Sequence, residues 1–496
     1  MKIRFVTLGC KLNFAESSAI GKALLEQGHT RAKQGEEADI CVINTCSVTD
    51  NADHKDRQAI HRIHRQNPNA IIIVTGCYAQ LQPEQIAQIE GVDYVLGQNE
   101  KYEIPALVER LESDAAKAAI GRSQGELLTI GYRREAKEGD EAMRREGEIH
   151  VCAIREVEEF HGAFSKDDRT RCFLKVQDGC NYFCTYCTIP YARGKSRNPK
   201  IADVVIAAQQ ALAEGAKELV LTGVNIGDFG RSTGESFIDL LKALDCLETP
   251  MRQAARNLHK SFCNDSDCIA TAPHFGNIQN ATAESSVNEA RGERLEAKGM
   301  DYRIRISSCE PNLLTDEIID FVAHSKHFAP HFHIPLQSGS NEVLQIMKRR
   351  YTRELFEERV KHIKQVMPHA FIGVDCMVGV RGETEEYFND YVEFIKRLDV
   401  SQLHVFTYSE RANTRMLELD VCIVPKTERQ RRSKILHEIS EEKTKTFYAQ
   451  QAGREAIVLW ESKKEGDQMA GFTENYVKIH RPYDKAKVNT FEVVRL

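Results

Sequence analysis

Six short apolar runs, most of them followed by a helix-forming stretch, fill the middle of this chain and constrain its fold more than any other feature. They are RCFLKV, ELVLTG, YRIRISS, HFHIPL, AFIGVDCMVG and QLHVFTYS, with helical patterns at Ile201 to Glu214, Phe237 to Leu244, Asp316 to Ala323, Glu354 to Val366 and Glu385 to Leu398. Strands that alternate with helices predict parallel pairing through crossovers. The pattern therefore predicts a partial (β/α)6 barrel over residues 169–425, with its site at the C-terminal ends of the strands.

A shorter series precedes the barrel. IRFVTLG, ICVINTC, AIIIVTGC and YVLG alternate with helical patterns at Ser17 to Gln27, Ala59 to Gln66 and Pro83 to Ile89, which predicts an α/β domain with an open parallel sheet over residues 1–105. Residues 106–168 are highly charged and poor in apolar side chains, and read as a linker or hairpin. Beyond the barrel, over 426–496, a charged helix from Lys426 to Gln450 leads to REAIVLWES, NYVKIHR and VNTFEVVRL, three strands of a small β-barrel. One stretch, about 247–301, breaks the rhythm and reads as a loop inserted between a barrel helix and its next strand. Its His259, Cys263, Cys268 and His274 have spacings that fit no common zinc finger.

Fifteen cysteines are too many to pass over in a chain that opens MKIRFVTLGCKLN, without the basic start and apolar core of a secretory signal. A cytoplasmic protein is expected, in which cysteines serve metals or catalysis rather than disulfides. No apolar run reaches transmembrane length, so no membrane partner is expected. The net charge of -6 excludes a uniformly basic nucleic-acid binder and leaves only local basic patches for such a partner.

Cys180, Cys184 and Cys187 follow the first barrel strand in GCNYFCTYC. An electron-transfer cluster of four irons normally has four cysteines; three leave one iron open to a substrate. A structural zinc would need a fourth ligand. Cys10, Cys46 and Cys77 form a second set, each where an N-terminal strand ends, in VTLGC, VINTC and VTGC. Strand ends form the ligand crevice of an open α/β sheet, so three residues distant in sequence are expected to converge.

The CxxxCxxC after a barrel strand resembles the radical S-adenosylmethionine superfamily, whose open iron chelates the cosubstrate. Taken with the second triplet and the terminal barrel, the chain closely resembles the methylthiotransferases outside the insert, with the last segment matching their TRAM RNA-binding domain. TLGCKLNFAES, INTCSVT, QDGCNYFCTYCTIPYARG, LTGVNIGDFG, SSCEPNLL and IPLQSGSNEVLQIMKRRYT favour the branch that acts on N6-threonylcarbamoyladenosine (t6A) in tRNA. The branches acting on isopentenyladenosine tRNA or a ribosomal protein carry different residues around the first cysteine and stand as alternatives. The resemblance implies methylthiolation of carbon 2 of t6A beside the anticodon, with two 4Fe-4S clusters and S-adenosyl-L-methionine as cofactors. It also implies tRNA with t6A, a reductant such as flavodoxin or ferredoxin, and a sulfur donor as partners, and no DNA.

By the same resemblance Tyr186 packs near the adenine of the cosubstrate, and Gly223, Asn225, Glu310, Gln337 and Asp375 fall at cosubstrate-binding positions. The chemistry belongs to the clusters, with no acid-base residue singled out. Each position has a plainer use: Tyr186 in loop packing, Gly223 in a tight turn, Gln337 or Asp375 in capping a helix. Val380 and Arg381 depart from the family's usual VGFPGE, and Cys309 stands where an aliphatic residue is common, so it reads as core. RNA phosphates could meet His54, Arg57, His61, Arg62, His64 and Arg65, or Lys348, Arg349, Arg350 and Arg353. Tyr476, Lys478, His480 and Arg481 on the terminal barrel suggest a clamp that combines stacking with charge. A rival of another class is a non-catalytic metal protein that binds RNA through that barrel.

Overall fold

The structure is a computed structural model that describes residues 1–33, 35–120, 147–165, 170–247 and 300–496. Strands β1 (Lys2–Thr7), β2 (Thr30–Arg31), β3 (Ile40–Thr45), β4 (Ile71–Gly76), β5 (Tyr94–Leu96) and β6 (Glu148–His150) form one parallel sheet in the order β2-β1-β3-β4-β5-β6. β3 and β4 are buried throughout because alternate residues face two covered layers. Cys41, Ile43, Ile72 and Val74 pack with Ile60 and Ile63 of helix Asp50–Gln66. Ile40, Val42, Ile71 and Ile73 pack with Ile20 and Leu24 of helix Lys11–Glu26 and with Leu107, Val108 and Leu111 of helix Ile104–Ile120.

Both early helices begin sooner than their apolar periodicity indicates, at Lys11 and Asp50. Their first turns bury polar groups instead, Asn13 and Glu16 in one and Asp53 and Asp56 in the other. Hydrophobic spacing cannot register that kind of burial. The segment read as a linker also takes part in the sheet, since β6 pairs with β5 as its last strand.

Strands β7 (Arg171–Lys175), β8 (Glu218–Thr222) and β9 (Arg303–Ile306) form one parallel sheet, and β10 (His331–Gln337), β11 (Phe371–Val378) and β12 (Gln402–Thr407) another. Parallel bridges from Ile304 to Phe328 and from Ser308 to His333 join them into a six-stranded partial barrel. Leu219, Leu221, Ile304, Ile306, Ile334 and Ile372 face outward into one apolar core beneath the helices. The residues between them face the lumen, and many are charged or aromatic. Residues 248–299, with the His259, Cys263, Cys268 and His274 weighed above, lie outside the described residues. The chain on either side of them meets again, because the Tyr302 hydroxyl donates to the carbonyls of Leu244 (3.0 Å) and Asp245 (3.1 Å). β9 pairs with β8 as an uninterrupted chain would, so the barrel wall is continuous.

Helix Lys426–Gln450 leads to an antiparallel sheet of β13 (Glu455–Glu465), β14 (Gln468–Thr473), β15 (Lys478–Pro482) and β16 (Phe491–Arg495), in the order β15-β14-β13-β16. Three strands are legible in the sequence. The fourth, β14 with sequence QMAGFT, has few β-formers and follows directly on the turn at Gly466, which has φ +62°.

Two buried ionic clusters join the domains. Beneath the barrel, Arg303 and Arg305 both bind Glu218 and donate to the carbonyls of Ile457 (3.1 Å), Phe472 (3.2 Å) and Glu474 (3.1 Å) in the terminal domain. At the upper end, Glu16 of the N-terminal domain accepts from Lys101 (2.7 Å), and from Lys175 (2.9 Å) and Arg193 (3.0 Å) of the barrel. Asp178 accepts from Lys175 (2.8 Å), Arg193 (3.0 Å) and Arg197 (3.1 Å).

Burial alone would raise the carboxyls of Glu16, Asp178 and Glu218, but their arginine and lysine neighbours hold all three below the usual carboxylate range. Their stabilisation is therefore complete above the unfolded values of about 3.9–4.3 and is lost as pH falls toward the folded ones. The contribution of these three carboxylates to the unfolding midpoint should stay level from about pH 7 to 5 and decline below about pH 4. Glu218→Gln strands two buried arginines and should cost about 3–5 kcal/mol in urea denaturation. An unchanged midpoint would mean that the carbonyl contacts alone seat the terminal domain.

Candidate functional site

Cys10, Cys46 and Cys77 follow β1, β3 and β4, which are neighbours in the first sheet, so parallel pairing brings their ends side by side. Cys46 packs directly on Gly9, where a Cβ would lie 2.6 Å from the Cys46 Cβ and 2.9 Å from its Sγ. Only glycine permits that approach, and its φ of +94° suits no other residue well. Burial and then the neighbouring Cys77 and Cys10 push the Cys46 thiol up to about 12, and burial also raises Cys77. In the barrel triplet burial raises Cys180 to about 11 and lifts Cys184 and Cys187 as well, with Cys184 also opposing the ionisation of Cys180 and both of these opposing that of Cys187. Each set of thiols thus lies close enough for its members to oppose one another's ionisation.

No three His, Cys, Asp or Glu side chains among the described residues close on a single metal ion. The charge around the triplets is suited to an anionic group. The ionic cluster beside both triplets has four cations, Lys101, Lys175, Arg193 and Arg197, against two carboxylates. The Arg193 guanidinium is within electrostatic reach of Cys77 and Cys10. Thiolate ligands would supply the missing negative charge, and binding would release the thiol protons.

The two triplets face each other across the domain boundary. The helix beginning at Cys77 packs on helix Ile189–Arg193, which follows Cys187. Thr188, next to Cys187, donates its hydroxyl to the carbonyl of Ser47, next to Cys46, at 3.4 Å. Arg411 ties the far end of the barrel to the same turn through the Ser47 hydroxyl (2.6 Å) and Asp53 (2.7 Å).

The other predicted positions fall into four places. Gly223 sits under Gln177, whose side-chain oxygen would be 2.8 Å from an added Cβ and accepts from the amides of Val224 (2.9 Å) and Asn225 (2.8 Å). Close approach, not an unusual turn, explains this glycine. The buried Asn225 side chain makes no hydrogen bond of good geometry among the described residues and lies within reach of the Tyr182 hydroxyl. Glu310 pairs with Arg349, which also donates to the Cys184 sulfur (3.0 Å) and to the Tyr186 hydroxyl (3.5 Å). Gln337 ends β10 at a register shift, with a left-handed φ of +64° that costs a non-glycine residue energy. Asp375 lies midway along β11, binds His333 Nε2 at 2.7 Å and is within electrostatic reach of Glu310.

The departure at Val380 and Arg381 leaves the local turn intact. Val380 is buried, Arg381 pairs with Glu410, and the Glu383 carboxylate accepts from the Gly379 amide (2.6 Å) and from Arg432 (2.8 Å). Cys309 is buried in the barrel core as expected.

The lumen holds a cavity of about 520 Å³, within the range of small-molecule pockets. Phe14, Phe173, Phe371, Phe406 and Tyr476 supply aromatic surface. Lys11, Arg171, Arg305, His333, Asp375 and His404 supply charge and hydrogen bonds. Of these only Asp375 and Tyr476 were singled out from sequence. The signal was the alternation in RCFLK, RIR and HFH, where residues between outward-facing apolar ones are polar although the strands belong to a covered sheet.

Several proposed RNA contacts lie elsewhere than charge alone suggests. Arg349 is buried against the cysteine loop, Arg350 covers the Tyr182 ring at 4.1 Å, and Arg353 pairs with Asp390. Arg57 donates to the Tyr78 hydroxyl (2.8 Å), while His54, His61, Arg62 and Arg65 remain exposed on one helix. Tyr476 is no open stacking platform, since its hydroxyl accepts from Arg171 (2.9 Å) and its ring closes the floor of the cavity beside His331. Lys478 and His480 pair with Glu465, and Arg481 with Glu492.

Residues 2–97 match the family described as uncharacterized protein family UPF0004, and residues 271–395 match the radical SAM superfamily. The chain is similar to the threonylcarbamoyladenosine tRNA methylthiotransferase MtaB of Aquifex aeolicus, with 32% identity across 97% of both chains. It is similar to the MtaB of Bacillus subtilis with 34% identity, over 96% of this chain and 89% of that one. The tRNA-2-methylthio-N(6)-dimethylallyladenosine synthase of Pelotomaculum thermopropionicum is 28% identical over 95% of this chain and 88% of its own. Two thiol triplets joined at one boundary, and relatives that align over almost the whole chain, make this protein a member of the radical S-adenosylmethionine methylthiotransferase family.

Proposed function

We propose that the protein adds a methylthio group to carbon 2 of t6A next to the anticodon of tRNA, giving 2-methylthio-t6A. The observation that supports this reading is the hydrogen bond from Thr188 to Ser47, which brings the residues beside Cys187 and Cys46 into contact. The t6A substrate is favoured because two relatives above 30% identity, at 32% and 34%, are t6A enzymes, whereas other t6A enzymes and the dimethylallyladenosine enzymes stand together at 28% or less.

Cys180, Cys184 and Cys187 would hold the 4Fe-4S cluster that binds S-adenosylmethionine, and Cys10, Cys46 and Cys77 a second 4Fe-4S cluster. When bound, these groups supply reductive cleavage of the sulfonium and transfer of sulfur and methyl. The protein's own part is positional. Asn225 would offer its buried amide to the cosubstrate, and the Glu310–Arg349 pair braces the loop that bears Cys184. Tyr186 and Gln337 would border the same ligand, and Gly223 lets the chain pass close to it. The aromatic lumen shields the reacting base from water. The exposed His54, His61, Arg62 and Arg65 would meet tRNA phosphates. A reductant of the flavodoxin or ferredoxin type and a sulfur donor complete the partners.

Nucleosides from cells lacking the protein should have lost 2-methylthio-t6A by mass spectrometry, and unchanged levels would overturn the substrate assignment. Reconstituted protein should hold about eight irons per chain, and about four when either triplet is replaced by Ala. With Cys10, Cys46 and Cys77 replaced, reduced protein should still form 5'-deoxyadenosine from S-adenosylmethionine but yield no thiolated nucleoside. Loss of both products would instead give the second site an electron-transfer role.

A further inference from the structure

The luminal cavity carries more positive charge than its own residues neutralise. Three cationic side chains, Lys11, Arg171 and Arg305, line it together with one carboxylate, Asp375. That carboxylate is already bound by His333 at 2.7 Å. Arg305 is committed to Glu218 (3.1 Å) and to the Glu474 carbonyl (3.1 Å). Arg171 binds Glu461 (3.1 Å) and the Tyr476 hydroxyl (2.9 Å). Lys11 alone of the three has no hydrogen-bond or ion-pair partner among the described residues, and it is accessible from the cavity that it lines.

The ring of an adenosine is neutral and would be served by the aromatic walls. Its phosphates belong to the backbone, which stays outside a cavity of this size. A hydrocarbon substituent on the base would leave Lys11 desolvated beside two arginines, with only Cys10 and the His333-bound Asp375 as anionic groups within electrostatic reach, which is costly. A substituent ending in a carboxylate would neutralise it through a charge-assisted hydrogen bond.

We propose that Lys11 is a specificity-determining residue that pairs with the carboxylate of an amino-acid substituent on the target base. This rests on the t6A reading above and names the contact that separates such a base from a hydrocarbon-modified one. Lys11 stands beside Cys10, so its alternative role is to balance the charge of the adjoining cluster.

The test uses anaerobically reconstituted full-length protein and three anticodon stem-loops, carrying t6A, t6A with its threonyl carboxylate as the methyl ester, or plain adenosine. Binding is read by fluorescence anisotropy. Wild type should bind the free acid about tenfold or more tightly than the ester, as expected of a hydrogen bond between charged groups. Lys11→Met should bring that ratio to near one while leaving affinity for the plain loop and the electron paramagnetic resonance spectra of both clusters unchanged. Lys11→Arg should keep the preference for the acid. The proposal is overturned if Lys11→Met still prefers the acid. It is equally overturned if that variant weakens all three loops alike or alters a cluster spectrum, either of which assigns Lys11 a backbone or cluster role. A wild type that does not distinguish t6A from plain adenosine would overturn the t6A reading itself, an outcome separate from a retained preference in Lys11→Met.

Discussion

A buried ionic cluster at the boundary between the N-terminal sheet and the barrel decides how the rest of the molecule is arranged. Glu16 belongs to the helix that begins after Cys10, whereas Asp178 and Arg193 lie either side of the cysteine loop of the barrel. Arg193 bridges both carboxylates and also donates to Asn13 at 2.6 Å, so one guanidinium registers the two cysteine sites against each other. Desolvated charges of this kind contribute little net stability compared with apolar packing, but removing one partner is strongly unfavourable. The cluster therefore acts as a geometric constraint between domains that fold around separate cores.

The barrel makes the opposite use of alternation on its two faces. Outward residues form one continuous apolar core with the helices, which is the source of most of its stability. Inward residues are charged, aromatic or small, so the lumen is a lined cavity rather than the packed interior of a closed eight-stranded barrel. Arg303 and Arg305 show the economy of this arrangement: from one strand they satisfy Glu218 inside the barrel and carbonyls of the terminal domain beneath it. The terminal domain is thereby fixed as the floor of the cavity, and Tyr476 faces inward.

Legibility followed the kind of interaction involved. Periodic apolar burial was readable: all six barrel strands and the four main strands of the first sheet lie where their runs indicated. Side chains that share a strand end were readable too, because Cys10, Cys46 and Cys77 needed only parallel pairing to become neighbours. Polar burial was not. The first turns at Asn13 and Asp53 carry no apolar period, and the edge strand β6 is three residues long and largely exposed. Direction was hidden as well: in the run Lys348, Arg349, Arg350 the three side chains look alike in sequence, yet Arg349 turns inward to Cys184 and Glu310 while Lys348 stays in solvent.

By itself the sequence determined the two cysteine triplets, the barrel between flanking domains, and a radical methylthiotransferase as their common sense. Short-range spacing and hydrophobic period carry that information, since both are written in consecutive residues. Only the tertiary structure decided that the triplets share one boundary, that Tyr476 seals a cavity rather than displaying a stacking surface, and that Lys11 lines that cavity without an ion pair among the described residues. Those outcomes depend on which charges meet across domains, and an ion pair between residues as distant as Glu16 and Arg193 exists only once the chain has folded.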